Sequence, residues 1–282
     1  MERRVKRSRL GGAVYVLPNM ITSGNLFFGF FSIVNGLQGQ MVWAAVSILI
    51  AGIFDVFDGR VARLTGGTSE FGVQYDSLCD LVSFGVAPAF IMYQSGLNEF
   101  GRVGWIACFV FLACGALRLA RFNVQSSIGK ASGDFTGLPI PMAAGYIASC
   151  VIAVLDTRTM TPKGSVLETI HGYVLDPWYT SVFFLFSGPL LGILMVSNIN
   201  FRSHKTLKVK GVTPFKLLVA AVALIGLVAI YPEILGFMFF LIYAFSGPVE
   251  RVLGGKKALD DDEIFDVPED EVGQDQPPGG VP

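Results

Sequence analysis

Charge is scarce in this chain: only 15% of its 282 residues are Asp, Glu, Lys or Arg, against 52% hydrophobic. A soluble domain carries about 25% charge, so the composition excludes one and points to an integral membrane protein. Histidine is scarcer still. His171 and His204 stand far apart without ligand-like spacing, which argues against a histidine metal site. The four cysteines, Cys79, Cys108, Cys114 and Cys150, form no C-x-x-C pair and all sit in apolar runs. They read as small core residues, not as disulfides or metal ligands. An internal repeat is missing too. The first half carries acidic pairs with no counterpart in the second, unlike a transporter built from repeats. No nucleic-acid partner is expected.

What is abundant is apolar sequence. About 20 mostly apolar residues cross a bilayer as a helix. On that measure the chain predicts an all-α membrane bundle of about eight spans, at 13–37, 41–63, 72–95, 102–123, 139–156, 180–200, 214–231 and 232–250. Tyr231 and Pro232 divide the last two, which read either as a hairpin or as a re-entrant pair. Segment 157–179 reads either as a short interfacial helix or as a polar loop. The basic start "MERRVKRSR" resembles the n-region of a signal peptide. The apolar run after it is too long, and no small-residue cleavage site stands out, so it reads as a retained first span. The domain plan is therefore a basic arm at 1–12, a membrane domain at 13–250 and an acidic tail at 251–282. The tail mixes nine acids with Gly and Pro, as a disordered solvated extension does.

With eight spans and a cytoplasmic N-terminus, 18 of the 21 lysines and arginines fall on one side, and only Arg102, Arg158 and Lys163 fall on the other. The positive-inside bias then places both termini in the cytoplasm. A multi-pass protein of the plasma membrane is expected.

Against that background, residues 54–80 stand out: "FDVFDGRVARLTGGTSEFGVQYDSLCD". Asp55 and Asp58 are three apart and share a helix face, and Asp76 and Asp80 are four apart and share another. "TGGTS" between the pairs is a turn signal, so spans two and three form a tight antiparallel pair with four carboxylates at one depth. Carboxylates this close repel. Divalent cations resolve the conflict, since Mg²⁺ takes oxygen ligands and leaves room for phosphates, and two such ions clamp a phosphoryl group. Gly59, Ala62 and Gly72 keep the slot shallow, and Arg63 can fork onto a phosphate. A nucleotide diphosphate fits such a slot. The competing explanation is that the acids pair with Arg60 and Arg63 at the membrane boundary.

These residues resemble the signature of the CDP-alcohol phosphotransferase family, D-x-x-D-G-x-x-A-R-x₈-G-x-x-x-D-x-x-x-D, at every defined position. The charge bias puts the four aspartates at the cytoplasmic ends of spans two and three. There, the resemblance implies, Asp55, Asp58, Asp76 and Asp80 hold two Mg²⁺ or Mn²⁺ ions and Asp80 doubles as general base. It implies that Gly59, Ala62, Arg63 and Gly72, together with Asp55 and Asp76, hold the CDP group. The reaction would displace CMP from a CDP-linked lipid with an alcohol. A homodimer is also implied.

In "PNMITSGNLFFG", Pro18, Asn19, Thr22 and Asn25 place polar atoms at helical spacing. They read either as interhelical packing or as a nucleotide-facing set, in which Asn19 and Thr22 meet the CDP group. In "GALRLARFN", Arg118 and Arg121 share a face. They read either as snorkelling anchors or as an anion pocket that an amino acid's carboxylate would fill. Both stretches, with "GLPIPMAAG", look like the phosphatidylserine synthase branch of the family. By that resemblance Arg118, Arg121 and Phe122 form a serine pocket, CDP-diacylglycerol is the donor, and the substrates meet among membrane lipids. The alternatives are an acceptor such as glycerol 3-phosphate or inositol phosphate, an inactive scaffold, and, from a different class, a cation transporter.

Overall fold

A computed structural model describes residues 11–65, 69–127, 135–160, 177–201 and 232–253. Helix α1 covers Gly11–Leu37 and α2 Met41–Thr65. The third span is composite. It runs through α3 (Glu70–Asp80), a π-helical turn (Leu81–Val86) and α4 (Ala87–Gln94). A 3₁₀ turn at Leu97–Phe100 leads into α5 (Arg102–Ser127). Helices α6 (Ile140–Met160), α7 (Pro177–Val196) and α8 (Pro232–Leu253) follow. The two short extended pieces, β1 (Phe135–Thr136) and β2 (Asn200–Phe201), pair antiparallel.

Six of these helices are long and apolar enough to cross a membrane: Val16–Leu37, Met41–Thr65, Glu70–Gln94, Arg102–Ser126, Trp178–Val196 and Ile234–Arg251. The fifth expected span is present as a helix, but its apolar part, Ile140–Leu155, is shorter. The expected span at 214–231 lies outside the described residues, as do 161–176, residues 1–10 of the basic arm and residues 254–282 of the acidic tail. The protein is thus a multi-pass, helical membrane protein. Phe30, Trp43, Phe109, Phe186 and Ile242 all face outward, as side chains solvated by lipid do.

Small residues let the helices approach closely. Ala44, Ala45, Ile48 and Ala51 of α2 and Ala143, Ala144, Ile147 and Ala148 of α6 are fully buried, and the two helices pack together. This is the usual means of association where lipid removes the hydrophobic drive between helices. Gly29 of α1 lies directly against Ser83 of the π-helical turn, where any Cβ would overlap it. The Ser83 hydroxyl donates to the Asn25 carbonyl at 3.0 Å.

One sequence expectation is corrected here. Spans two and three are not a tight pair along their whole length. Helix α3 packs mainly on α1, and α2 meets the third span further along, at the π-helical turn and α4. The reason is that α1 offers the small and polar stripe against which α3 can lie. The carboxylates of α2 and α3 therefore meet through their side chains.

Candidate active site

Asp55 and Asp58 project from the last turns of α2, and Asp76 and Asp80 from α3. The start of α3 is fixed locally: Ser69 is its N-cap and accepts the Gly72 amide at 3.0 Å. The chain leaves Asp80 directly into the π-helical turn. A π-bulge changes the helical phase and is frequent at functional sites.

Asp55, Asp76 and Asp80 each turn a carboxylate oxygen to a common point, and the three oxygens lie within 4.8 Å of one another. Asp58 stands beside them and interacts electrostatically with Asp55 and Asp76, with Thr22 of α1 at its side. Burial is deep, with Asp58 3% and Asp80 8% exposed. Among the described residues, Arg60 and Arg63 form no ion pair with the four acids; the Arg63 Nε donates back to the Gly59 carbonyl at 2.9 Å. Boundary ion pairing therefore does not account for them. Asp58 Oδ2 and Asp76 Oδ1 are buried without any hydrogen-bond partner. A buried, unpaired carboxylate oxygen is costly. Grouped hard oxygen donors with unmet valence fit Mg²⁺ or Mn²⁺.

Asp80 receives one hydrogen bond, from Asn25 Nδ2 to Oδ1 at 2.9 Å, and Asn25 is fully buried. A charge-assisted bond of this kind fixes the carboxylate's rotation. Sequence reasoning placed Asn25 only in a general polar stripe. Its spacing of seven residues from Pro18 put it on the stripe, but not opposite Asp80.

The two signature glycines differ in their surroundings. A Cβ on Gly59 would meet nothing within 4 Å, so the backbone there borders open space. A Cβ on Gly72 would sit 3.1 Å from Ser69 Oγ and 3.3 Å from Asn19 Oδ1, which puts Asn19 at the mouth of the slot. Ala62 is half-buried one turn beyond Gly59.

The two arginines separate. Arg118 is 9% exposed, interacts electrostatically with Asp80 and Asp55, and lies over the Phe122 ring at 6.0 Å. Its Nε has no partner. Arg121 instead joins α5 to the end of α7, its Nη1 donating to Asn198 Oδ1 at 2.7 Å and to the Val196 carbonyl at 3.3 Å. Asn123 braces α5 against α3 through Ser77 and Gln74, its Nδ2 donating at 2.9 Å to Ser77 Oγ and at 3.4 Å to Gln74 Oε1.

Comparison with known proteins bears on this geometry. Residues 15–171 match the family model described as CDP-alcohol phosphatidyltransferase, more than half of the chain and all four aspartates. The chain belongs to that family. It is 38% identical over 195 residues to a CDP-diacylglycerol–serine O-phosphatidyltransferase of Helicobacter pylori, covering 69% of this chain and 75% of that protein. A protein of the same name from Methanocaldococcus jannaschii is 32% identical over 225 residues, 79% of this chain and 91% of the relative. An archaetidylserine synthase of Methanothermobacter thermautotrophicus is 42% identical over 135 residues, 47% of this chain and 56% of the relative. Helices α7 and α8 lie beyond the stretch matched by the family model.

Proposed function

We propose that the protein transfers the phosphatidyl group of CDP-diacylglycerol to the hydroxyl of L-serine, releasing CMP and forming phosphatidylserine. The observation that carries this reading is the convergence of three signature carboxylates within 4.8 Å, with two orphaned oxygens beside it. The relatives' shared name supports the donor and the acceptor.

Asp55, Asp58, Asp76 and Asp80 would hold the divalent metal, taken here as two Mg²⁺ or Mn²⁺ ions. Bound metal would supply charge neutralisation for the diphosphate and for the CMP that departs. The nucleotide half would rest on the Gly59 side of the slot, with Ala62, Arg63, Gly72, Asn19 and Thr22 around it. Asn25 holds Asp80 Oδ1, which leaves Oδ2 to take the proton of the serine hydroxyl. The serine oxygen attacks the phosphorus bearing diacylglycerol. A new O–P bond forms, the P–O bond to CMP breaks, and the electron pair leaves with CMP. Arg118 would receive the serine carboxylate through its unpartnered Nε, with Phe122 beneath it and Arg121 holding the pocket's floor to α7. Most of the rate gain would come from positioning and electrostatics.

The reading includes an active site on the cytoplasmic side of eight spans, both termini cytoplasmic, in the plasma membrane. The charge asymmetry of the loops supports this orientation. It also includes a homodimer, for which the molecular mass of the purified protein is the test.

The deciding experiment measures CMP release from CDP-diacylglycerol by the purified protein. The assay runs with Mg²⁺, with Mn²⁺ and with EDTA, and offers serine, glycerol 3-phosphate and inositol phosphate in turn. Metal-dependent release with serine is expected. Release with another acceptor alone would keep the family and overturn the serine assignment.

A further inference from the structure

Several hydroxyl side chains in these helices bond back onto their own backbone. Thr22, Ser23, Ser47, Thr65 and Ser77 each donate to the carbonyl four residues earlier, at distances between 2.7 and 3.1 Å. Ser83 does otherwise. It is fully buried in the π-helical turn, three residues after Asp80, and its hydroxyl crosses to α1 to meet the Asn25 carbonyl at 3.0 Å. Within α1 that carbonyl is the helical acceptor of the Gly29 amide, four residues on. Ser83 therefore takes its second lone pair. Gly29 permits the approach. A Cβ there would come within 2.7 Å of the Ser83 Cα, and backbone cannot swing aside as the tip of a side chain can.

Asn25 is thereby held twice by the third span. Its side-chain Nδ2 donates to Asp80 Oδ1 at 2.9 Å, and its main-chain carbonyl receives the Ser83 hydroxyl. Asp80, Asn25 and Ser83 thus close a ring, completed by the three-residue step from Asp80 to Ser83. Asn25 Oδ1 has no partner. The side chain has one hydrogen bond of its own, so the place from which it reaches Asp80 depends on where its backbone is anchored.

We propose that Ser83 is a positioning residue for Asp80: by anchoring the Asn25 backbone beside Gly29, it fixes the point from which the Asn25 amide orients the carboxylate. The inference rests on the role of Asp80 proposed above. It extends the site to Ser83 and Gly29, which act through Asn25. It also gives the π-helical turn a task, since a change of helical phase directly after Asp80 delivers the hydroxyl of residue 83 to α1.

Ser83→Ala tests it, because only the hydroxyl is lost and the Cβ beside Gly29 is kept. CMP release is measured with the acceptor that the wild-type protein uses fastest, varying that acceptor and CDP-diacylglycerol in turn. Asn25→Leu, the double variant and Asp80→Asn are assayed alongside. In Ser83→Ala, kcat should fall about fivefold, the effect of one neutral hydrogen bond, with both KM values within about twofold of wild type. In the Asn25→Leu background the same substitution should cost less than about twofold more, because the group it positions is already gone. Ser32→Ala removes another fully buried hydroxyl from α1 and should leave kcat unchanged. A readout without turnover is the Mn²⁺ concentration that gives half of the metal's rise in Tm. That midpoint should increase severalfold in Ser83→Ala, and no further in the double variant than in Asn25→Leu. A wild-type kcat and midpoint in Ser83→Ala would overturn the inference and leave the role of Asp80 standing. So would a fivefold loss that recurs in full in the Asn25→Leu background, since that marks a purely structural effect. Normal turnover in a folded Asp80→Asn protein would remove the base reading, and the inference with it.

Discussion

The two ends of the bundle are made from the same helices and treat polar atoms in opposite ways. Where α2 ends and α3 begins, three orphaned atoms belong to ionisable groups, Asp58 Oδ2, Asp76 Oδ1 and Arg118 Nε, with the Asn25 amide oxygen a neutral orphan beside them. At the far end, the turns after α1 and α4 satisfy themselves. The Gln40 amide donates to the Asn35 carbonyl at 2.9 Å, the Ser95 amide to Ile91 at 2.8 Å and the Glu99 amide to Gly96 at 3.1 Å. A cavity of about 280 Å³ is found there too, lined by Gln94, Ser95, Glu99, Thr180 and Phe184 among others. Its orphan is the neutral hydroxyl of Ser95, and Asn98 and Glu99 are exposed to solvent. A cavity alone therefore does not mark the chemistry. Unmet charge marks it, because a fold keeps buried unpaired carboxylates only where something else completes them.

Mutations at the two ends sharpen this contrast. On the roles proposed above, Asp80→Asn would remove both the base and a metal donor, so CMP release should fall by about 10³-fold or more. Circular dichroism and chromatographic behaviour should stay unchanged. Near-normal turnover in the folded variant would break the assignment. Asn25→Leu removes the donor to Asp80 and should lower kcat about ten- to a hundredfold, the equivalent of about 1.5–3 kcal/mol for a bond to a charged group. Its KM for serine should hold within twofold, and a change in KM alone would count against the orienting role.

Metal addition should read out on stability as well as on rate. At about 100 times its Kd, a ligand of the native state contributes about 2.7 kcal/mol. Mg²⁺ or Mn²⁺ should thus raise the Tm of the purified protein by several degrees, and Asp55→Asn should lose most of that shift. A full shift in Asp55→Asn would remove Asp55 from the donor set. Gly59→Ala separates fold from function within one residue. The Cβ enters open space, and replacing a helical Gly with Ala stabilises by about 0.5–1 kcal/mol. The variant should be as stable as wild type or more so, with a severalfold higher KM for CDP-diacylglycerol. The smallest effect is expected at the far end, where Glu99→Gln should leave turnover within twofold.

Much of this protein was legible in its sequence, because lipid imposes simple rules. Helix length follows from bilayer thickness, so six expected spans match the long apolar helices to within a few residues. The fifth was legible as a helix, with its apolar part somewhat shorter. The spacing of Asp55, Asp58, Asp76 and Asp80 fixed which carboxylates share a face, since 3.6 residues per turn leaves little choice. Tertiary structure decided what depends on contacts between distant segments. That α3 leans on α1, that Asn25 is the group opposite Asp80, and that a π-helical turn follows Asp80 have no local signal. Nor does the sequence distinguish Arg118 from Arg121. They share a face of α5, but one helix turn along the axis is enough to leave the first among aspartates and the second against the end of α7. Periodicity gives a residue its direction, whereas its partner is set by which helix packs there.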